Sequence, residues 1–115
     1  GLPEHVASPA DNDAAAVRGS LDVLRPYAAD RGVQLALEVQ TNRLSTPDAL
    51  VGLIDDAADW PVAGICLDTG HARLLGDPVD AIESASGHII ATHVNDNRGS
   101  RDDHLVPYDG SIDWA

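Results

Sequence analysis

A chain of 115 residues with 43% hydrophobic residues is enough for one modest folded domain, and that apolar content argues against disorder. Its formal net charge of −12 argues against nonspecific attraction to nucleic acid or to anionic membranes and favours solubility, and a cytoplasmic location is expected. No apolar run approaches the roughly 20 residues of a membrane span. No signal peptide is read in the opening Gly1-Leu2-Pro3-Glu4-His5, and the lack of Met there suggests a piece of a longer chain.

Residues 1–10 read as a loop rich in Gly, Pro and Ser. Asp11 or Asn12 is then expected to cap a helix with Ala14, Val17, Leu21, Leu24 and Ala28 at helical spacing. Pro26 predicts a kink or an early end to it, and Gly32 a stop. Val33 to Gln40 is the first predicted strand, with Leu35, Leu37 and Val39 on one side and Ala36, Glu38 and Gln40 on the other. Thr46-Pro47 opens a second helix, a capping hydroxyl followed by proline at the first helical position. Its apolar stripe is Leu50, Leu53, Ile54 and Ala57, and Trp60-Pro61 closes it.

Gly64-Ile65-Cys66-Leu67-Asp68-Thr69-Gly70-His71 begins as a short apolar run and ends in a carboxylate, a glycine and an imidazole. Such a run suits a buried parallel strand, with Asp68 at its carboxyl end and His71 in the loop beyond. The single Cys66 excludes an internal disulfide, which makes a reducing compartment plausible, and its place in the apolar run reads as packing rather than nucleophilic. Asp77-Pro78 caps a third helix, with Val79, Ile82 and Ala85 inward and Ser86-Gly87 at its end. Ile89 to His93 is the third strand. Helix and strand alternate with a repeat close to the roughly 30 residues of a βα unit, and no hairpin signal interrupts them. The fold class is α/β with a parallel sheet.

Glu38, Asp68 and His93 stand near the carboxyl ends of the three strands, each with a small residue two positions earlier on the same face: Ala36, Cys66 and Ala91. An ionised buried Asp needs a partner. If that face is a barrel interior, the three polar side chains converge, and two carboxylates with an imidazole suit Mn²⁺, Mg²⁺, Co²⁺ or Zn²⁺. Taken singly, Glu38 also reads as an exposed strand end, Asp68 as an Asx-turn residue and His93 as a satisfied half-buried histidine. Their recurrence at corresponding ends of consecutive units favours the joint site. The loop that follows, Asn95-Asp96-Asn97-Arg98-Gly99, is turn-rich. Asp102 and His104 beyond it read either as ligands of a second cation or partners of a sugar, or as a solvated acidic loop. Arg98 and Arg101 either bind a substrate carboxylate or phosphate or balance local acid. His5 and His88 lie outside the constellation and read as surface residues.

Leu35-Ala36-Leu37-Glu38, the run from Gly64 to His71, Thr92-His93-Val94-Asn95-Asp96-Asn97 and the tail from Asp102 to Trp114 resemble the xylose isomerase-like TIM barrel superfamily. That family holds sugar epimerases and isomerases, inosose dehydratases and endonuclease IV-type enzymes. The resemblance implies that residues 1–115 are one partial barrel domain, from the helix before the fifth strand through the loop after the seventh. The metal ligands would be Glu38, Asp68 and His93, with a fourth carboxylate on the eighth strand. Glu38 would also be the catalytic acid/base. His71 would bind substrate, as Arg98 would, or join Asp102 and His104 at a second metal. The implied activity is divalent-metal-dependent isomerisation or epimerisation of a sugar, polyol or keto acid by proton transfer through an enediolate, within carbohydrate metabolism. The rivals are a zinc-dependent apurinic endonuclease, which the negative charge disfavours, and a non-catalytic barrel piece. Alone, such a piece is expected to be inactive, and its open sheet edges leave homo-oligomers open. The family loop commonly carries Gly-x-Gly where this chain has Tyr108-Asp109-Gly110, so a different backbone is expected there.

Overall fold

The computed structural model describes residues 13–56 and 63–115. The expectations for the opening loop, for caps at Asp11 or Asn12, and for Ala57 and Trp60-Pro61 lie outside the described residues. Helix α1 spans Ala14–Asp30, and its cap is Asp13, whose carboxylate accepts from Ala15 N. Pro26 does not end it early. The carbonyl it deprives of a partner belongs to Asp22, which like Pro26 is exposed, so water can take the missing bond. The helix ends where Gly32 adopts φ 63°, and the amides of Gly32 and Val33 return to the carbonyls of Ala29 and Ala28 at 3.2 and 2.9 Å. That closing turn requires a left-handed residue, which glycine supplies without a Cβ penalty.

Strand β1 is Leu35–Glu38, helix α2 Pro47–Asp55 and strand β2 Ala63–Asp68. Thr46 Oγ1 caps α2 by accepting from Ala49 N at 3.3 Å, and Pro47 stands at its first position as expected. Helix α3 follows directly at Thr69–Leu75, then α4 at Pro78–Ala85 and strand β3 at Ile89–His93. The strands form one parallel sheet in the order β1-β2-β3.

One face of the sheet packs on helices. Val39, Ile65 and Leu67 meet Leu50 and Ile54 of α2, Ala72 of α3, and Ala81 and Ala85 of α4, forming the main core. This is half of the layering of a βα barrel, in which the sheet's outer face is covered by helices. Two expectations are corrected here. His71 is not in a loop, because Asp68 caps α3 and places His71 in its first turn. On α4 the inward residues are Ala81 and Ala85, whereas Val79 and Ile82 are 56% and 45% exposed. Two alanines four positions apart let α4 approach α2 and β2 closely, which the bulkier stripe would prevent.

Candidate metal centre

The opposite face of the sheet carries the candidate ligands. Strand alternation projects Glu38, Asp68 and His93 to it, while their neighbours Leu37 and Leu67 turn to the helices. Register makes the three unequal. Asp68 pairs with His93, but Glu38 stands level with Cys66, one side-chain row lower. The longer glutamate reaches over small Cys66. Its Oε1 lies 2.8 Å from His93 Nδ1, which in turn lies 3.7 Å from Asp68 Oδ2.

Asp68 is 1% exposed and fully engaged. Its Oδ1 accepts from His71 N at 2.9 Å, and Asn95 Nδ2 donates to both of its oxygens at 3.1 Å. Asn95 is clasped in turn, since its N–H donates to Thr69 Oγ1 at 3.0 Å and its carbonyl accepts from that hydroxyl at 2.7 Å. The first turn of α3 and the loop after β3 are thereby joined across the ligand.

Atoms of Glu38, Asp68 and His71 lie within 4.8 Å of one another. Ligands sharing one ion at about 2.0–2.4 Å have such separations. The His71 nitrogen concerned is Nδ1, 3.8 Å from Glu38 Oε1 and 3.7 Å from Asp68 Oδ2. That nitrogen also lies 2.8 Å from the carbonyl of Val39. A carbonyl only accepts, so Nδ1 carries the proton and is held away from a ligand role. Among the described residues, His93 Nδ1 faces the carboxylates of Glu38 and Asp68 rather than a backbone carbonyl, so it is the imidazole nitrogen able to exchange its hydrogen bond with Glu38 for a cation. Two carboxylates and that nitrogen lie on one face, the nitrogen 2.8 and 3.7 Å from the two carboxylates, a donor set of the kind that suits a divalent cation.

His71 Nε2 instead faces Asp102 Oδ2 at 3.3 Å, and His104 Nε2 approaches the same oxygen at 3.0 Å. The three residues expected around a second metal are thus gathered on one carboxylate, whose other oxygen is buried and has no hydrogen-bond partner among the described residues. Arg98 is not brought to the cluster. It is exposed, and its backbone amide faces Asp103 Oδ2 at 3.4 Å. Cys66 lies buried beside the ligands. Burial pushes its thiol pKa up, and the charges of Glu38 and Asp68 push it further, so it stays protonated, which suits a packing role.

Sequence reasoning missed what Asn95, Asp96 and Asn97 do. The turn-rich run buries all three of them. Asn97 Nδ2 donates to Gly70 O at 2.8 Å. Asp96 collects the amides of Asn97, Gly110, Ser111 and Ile112 and the indole N–H of Trp114 at 2.7 to 3.2 Å. Burial would raise its pKa, but the donors, led by the Trp114 indole, outweigh that and hold it at about 2. A Cβ at position 110 would overlap the Asp96 carboxylate, so only glycine permits this approach. Tyr108 has φ 77°, a left-handed conformation that costs a side-chain-bearing residue about 1–2 kcal/mol. Its ring packs against Trp114 with centroids 6.2 Å apart.

A model of the xylose isomerase-like TIM barrel family matches residues 1–115. The chain is 35% identical over 100 residues to the uncharacterized protein y4fM of Sinorhizobium fredii, covering 83% of this chain and 31% of that protein. It is 31% identical over 102 residues to the uncharacterized protein MJ1311 of Methanocaldococcus jannaschii, covering 83% and 34%. The chain therefore spans about a third of the length of these curated relatives. Among solved structures, a D-tagatose 3-epimerase-like protein superposes with a TM-score of 0.77 at 29% identity, over 96% of this chain and 44% of that one. A xylose isomerase domain protein from Planctomyces limnophilus superposes with a TM-score of 0.62 at 22% identity, over 84% and 33%, a likeness of fold alone. No helix among the described residues is long and apolar enough to cross a membrane.

Proposed function

Since the chain belongs to the xylose isomerase-like TIM barrel family, we propose that it is the metal-binding part of a sugar isomerase or epimerase, occupying the stretch from the helix before the fifth barrel strand through the loop after the seventh. The observation that carries this reading is the convergence of Glu38, Asp68 and His93 from three adjacent strand ends, with Nδ1 of His93 2.8 Å from one carboxylate and 3.7 Å from the other. The D-tagatose 3-epimerase-like neighbour supports a ketose as substrate.

Glu38, Asp68 and His93 would hold the cation, with a further carboxylate from outside these residues. A bound divalent cation supplies Lewis acidity, favouring negative charge on adjacent substrate oxygens. The protein's own groups do the rest. Asn95 and the His71 amide hold the buried Asp68 carboxylate in a fixed orientation by donating to it. His71, its Nδ1 proton committed to Val39, would turn Nε2 to accept from a substrate hydroxyl. Glu38 removes a proton from the carbon beside the carbonyl and returns it to give the isomer or epimer.

The test uses the full-length protein stripped of metal and its Asp68→Ala variant. Wild type is expected to bind Mn²⁺ by calorimetry and to exchange carbon-bound hydrogen of D-tagatose with D₂O by NMR, and Asp68→Ala to do neither. Exchange that persists in Asp68→Ala would falsify the assignment. The His71–Asp102–His104 cluster supports the zinc nuclease as a second reading, and several tightly bound Zn²⁺ per chain with cleavage of abasic DNA would favour it.

A further inference from the structure

We propose that Gln40 is the positioning residue that aims the proton-accepting oxygen of Glu38, an inference that rests on the isomerase reading above. Gln40 lies two residues beyond Glu38, and the strand alternation continues through buried Val39, so both side chains rise on the ligand face. Gln40 Nε2 donates to Glu38 Oε2 at 2.8 Å. Its backbone is itself fixed: Gln40 N–H donates to Ser45 O at 3.0 Å. Asn42 closes the intervening turn, its carbonyl accepting from Ser45 N at 3.2 Å and its Oδ1 from Leu44 N at 3.0 Å. The amide therefore sits on a folded loop, half-buried, rather than on a free chain.

The two oxygens of Glu38 consequently differ. Oε1 faces the imidazoles of His93 and His71 at 2.8 and 3.8 Å, the side where the other ligands lie. Oε2 faces the amide and is the oxygen left for substrate. In the step, the substrate C–H bond breaks and the proton forms an O–H bond with Glu38 Oε2. The electron pair stays on the substrate, shared between the carbon and its neighbouring carbonyl oxygen, and the reverse transfer restores a C–H bond. An amide serves both ends of this step. Its N–H donates to the carboxylate before transfer, and after a half-turn of the amide its carbonyl accepts from the new O–H. A methionine thioether of about the same length has no N–H to donate and only a weakly accepting sulfur, and a carboxylate repels the glutamate carboxylate.

The experiment compares full-length wild type with Gln40→Met and Gln40→Asn, the second keeping an amide but withdrawing it by one methylene. D-tagatose is the substrate probe and Mn²⁺ the cation probe. Both variants are expected to lose about 10-fold in kcat, an ordinary cost for removing an orienting partner. KM and Mn²⁺ affinity should stay within about threefold, and the deuterium isotope effect on the exchanged hydrogen should rise. Undiminished kcat in both variants, or a loss matched by equal loss of Mn²⁺ affinity, overturns the assignment while leaving the isomerase reading intact. Absence of exchange in the wild type overturns both.

Discussion

Asp96 is the residue whose replacement should cost the loop after β3 most. Its carboxylate is fully buried and takes five N–H donors, three on Oδ1 and two on Oδ2. The gap between its folded pKa of about 2 and its ordinary 3.8 corresponds to about 2 kcal/mol of preference for the ionised form. Asp96→Asn is the isosteric test. With its oxygen on the Oδ1 side, the new NH₂ confronts the Gly110 amide and the Trp114 indole, and the opposite flip confronts three amides. Two buried donors without acceptors, at about 1–3 kcal/mol each, place the loss at about 2–6 kcal/mol. Urea unfolding followed by Trp114 fluorescence in a Trp60→Phe background measures it. The pH dependence is specific. A depressed carboxylate contributes in full above its unfolded value, and that contribution falls steeply between about pH 4 and pH 2 as the folded value is approached. The wild-type advantage over Asp96→Asn should shrink across that window. A loss under 1 kcal/mol at pH 7, or a difference indifferent to acid, would refute the reasoning.

Gly110→Ala should destabilise the same loop, because its Cβ would occupy the space of the Asp96 carboxylate; hydrogen exchange at Ile112 should accelerate, while exchange in α2 stays unchanged. His88 Nε2 lies 2.8 Å from Asp55 Oδ1, and that bond raises the imidazole pKa above 6.5. Its contribution is present below the unfolded value and lost as pH rises through the raised folded one, so His88→Ala should lower Tm at pH 5.5 and leave it unchanged at pH 9. Cys66, buried and with its thiol pKa pushed up, should resist iodoacetamide in the native protein and react on unfolding; equal rates in the two states would contradict its burial.

Short-range chemistry made much of this protein legible in advance. Thr46-Pro47 and Asp77-Pro78 start helices because capping and a fixed φ act within one turn. Leu37 and Val39 alternate with Glu38 and Gln40 because the strand period is two. That Glu38, Asp68 and His93 share one face of the sheet was legible for the same reason, since three strand ends recur in step with the βα repeat. The inward face of α4 was not. Ala85 makes an apolar stripe either with Val79 and Ile82 or with Ala81, and only the closeness of α2 and β2 selects the alanines.

The Asn95-Asp96-Asn97 run has the composition of a solvated turn. It is buried because residues up to 27 positions distant, from Asp68 to Trp114, supply its hydrogen bonds. The same holds for His71. Its sequence neighbours set its place on α3, but which nitrogen carries the proton depends on the Val39 carbonyl, brought there from another strand. Sequence by itself determined the parallel βα order and which residue types end each strand, because period and capping are local. The tertiary structure alone decided which oxygen and which nitrogen of those residues face one another, because hydrogen-bond partners are assigned by proximity in space.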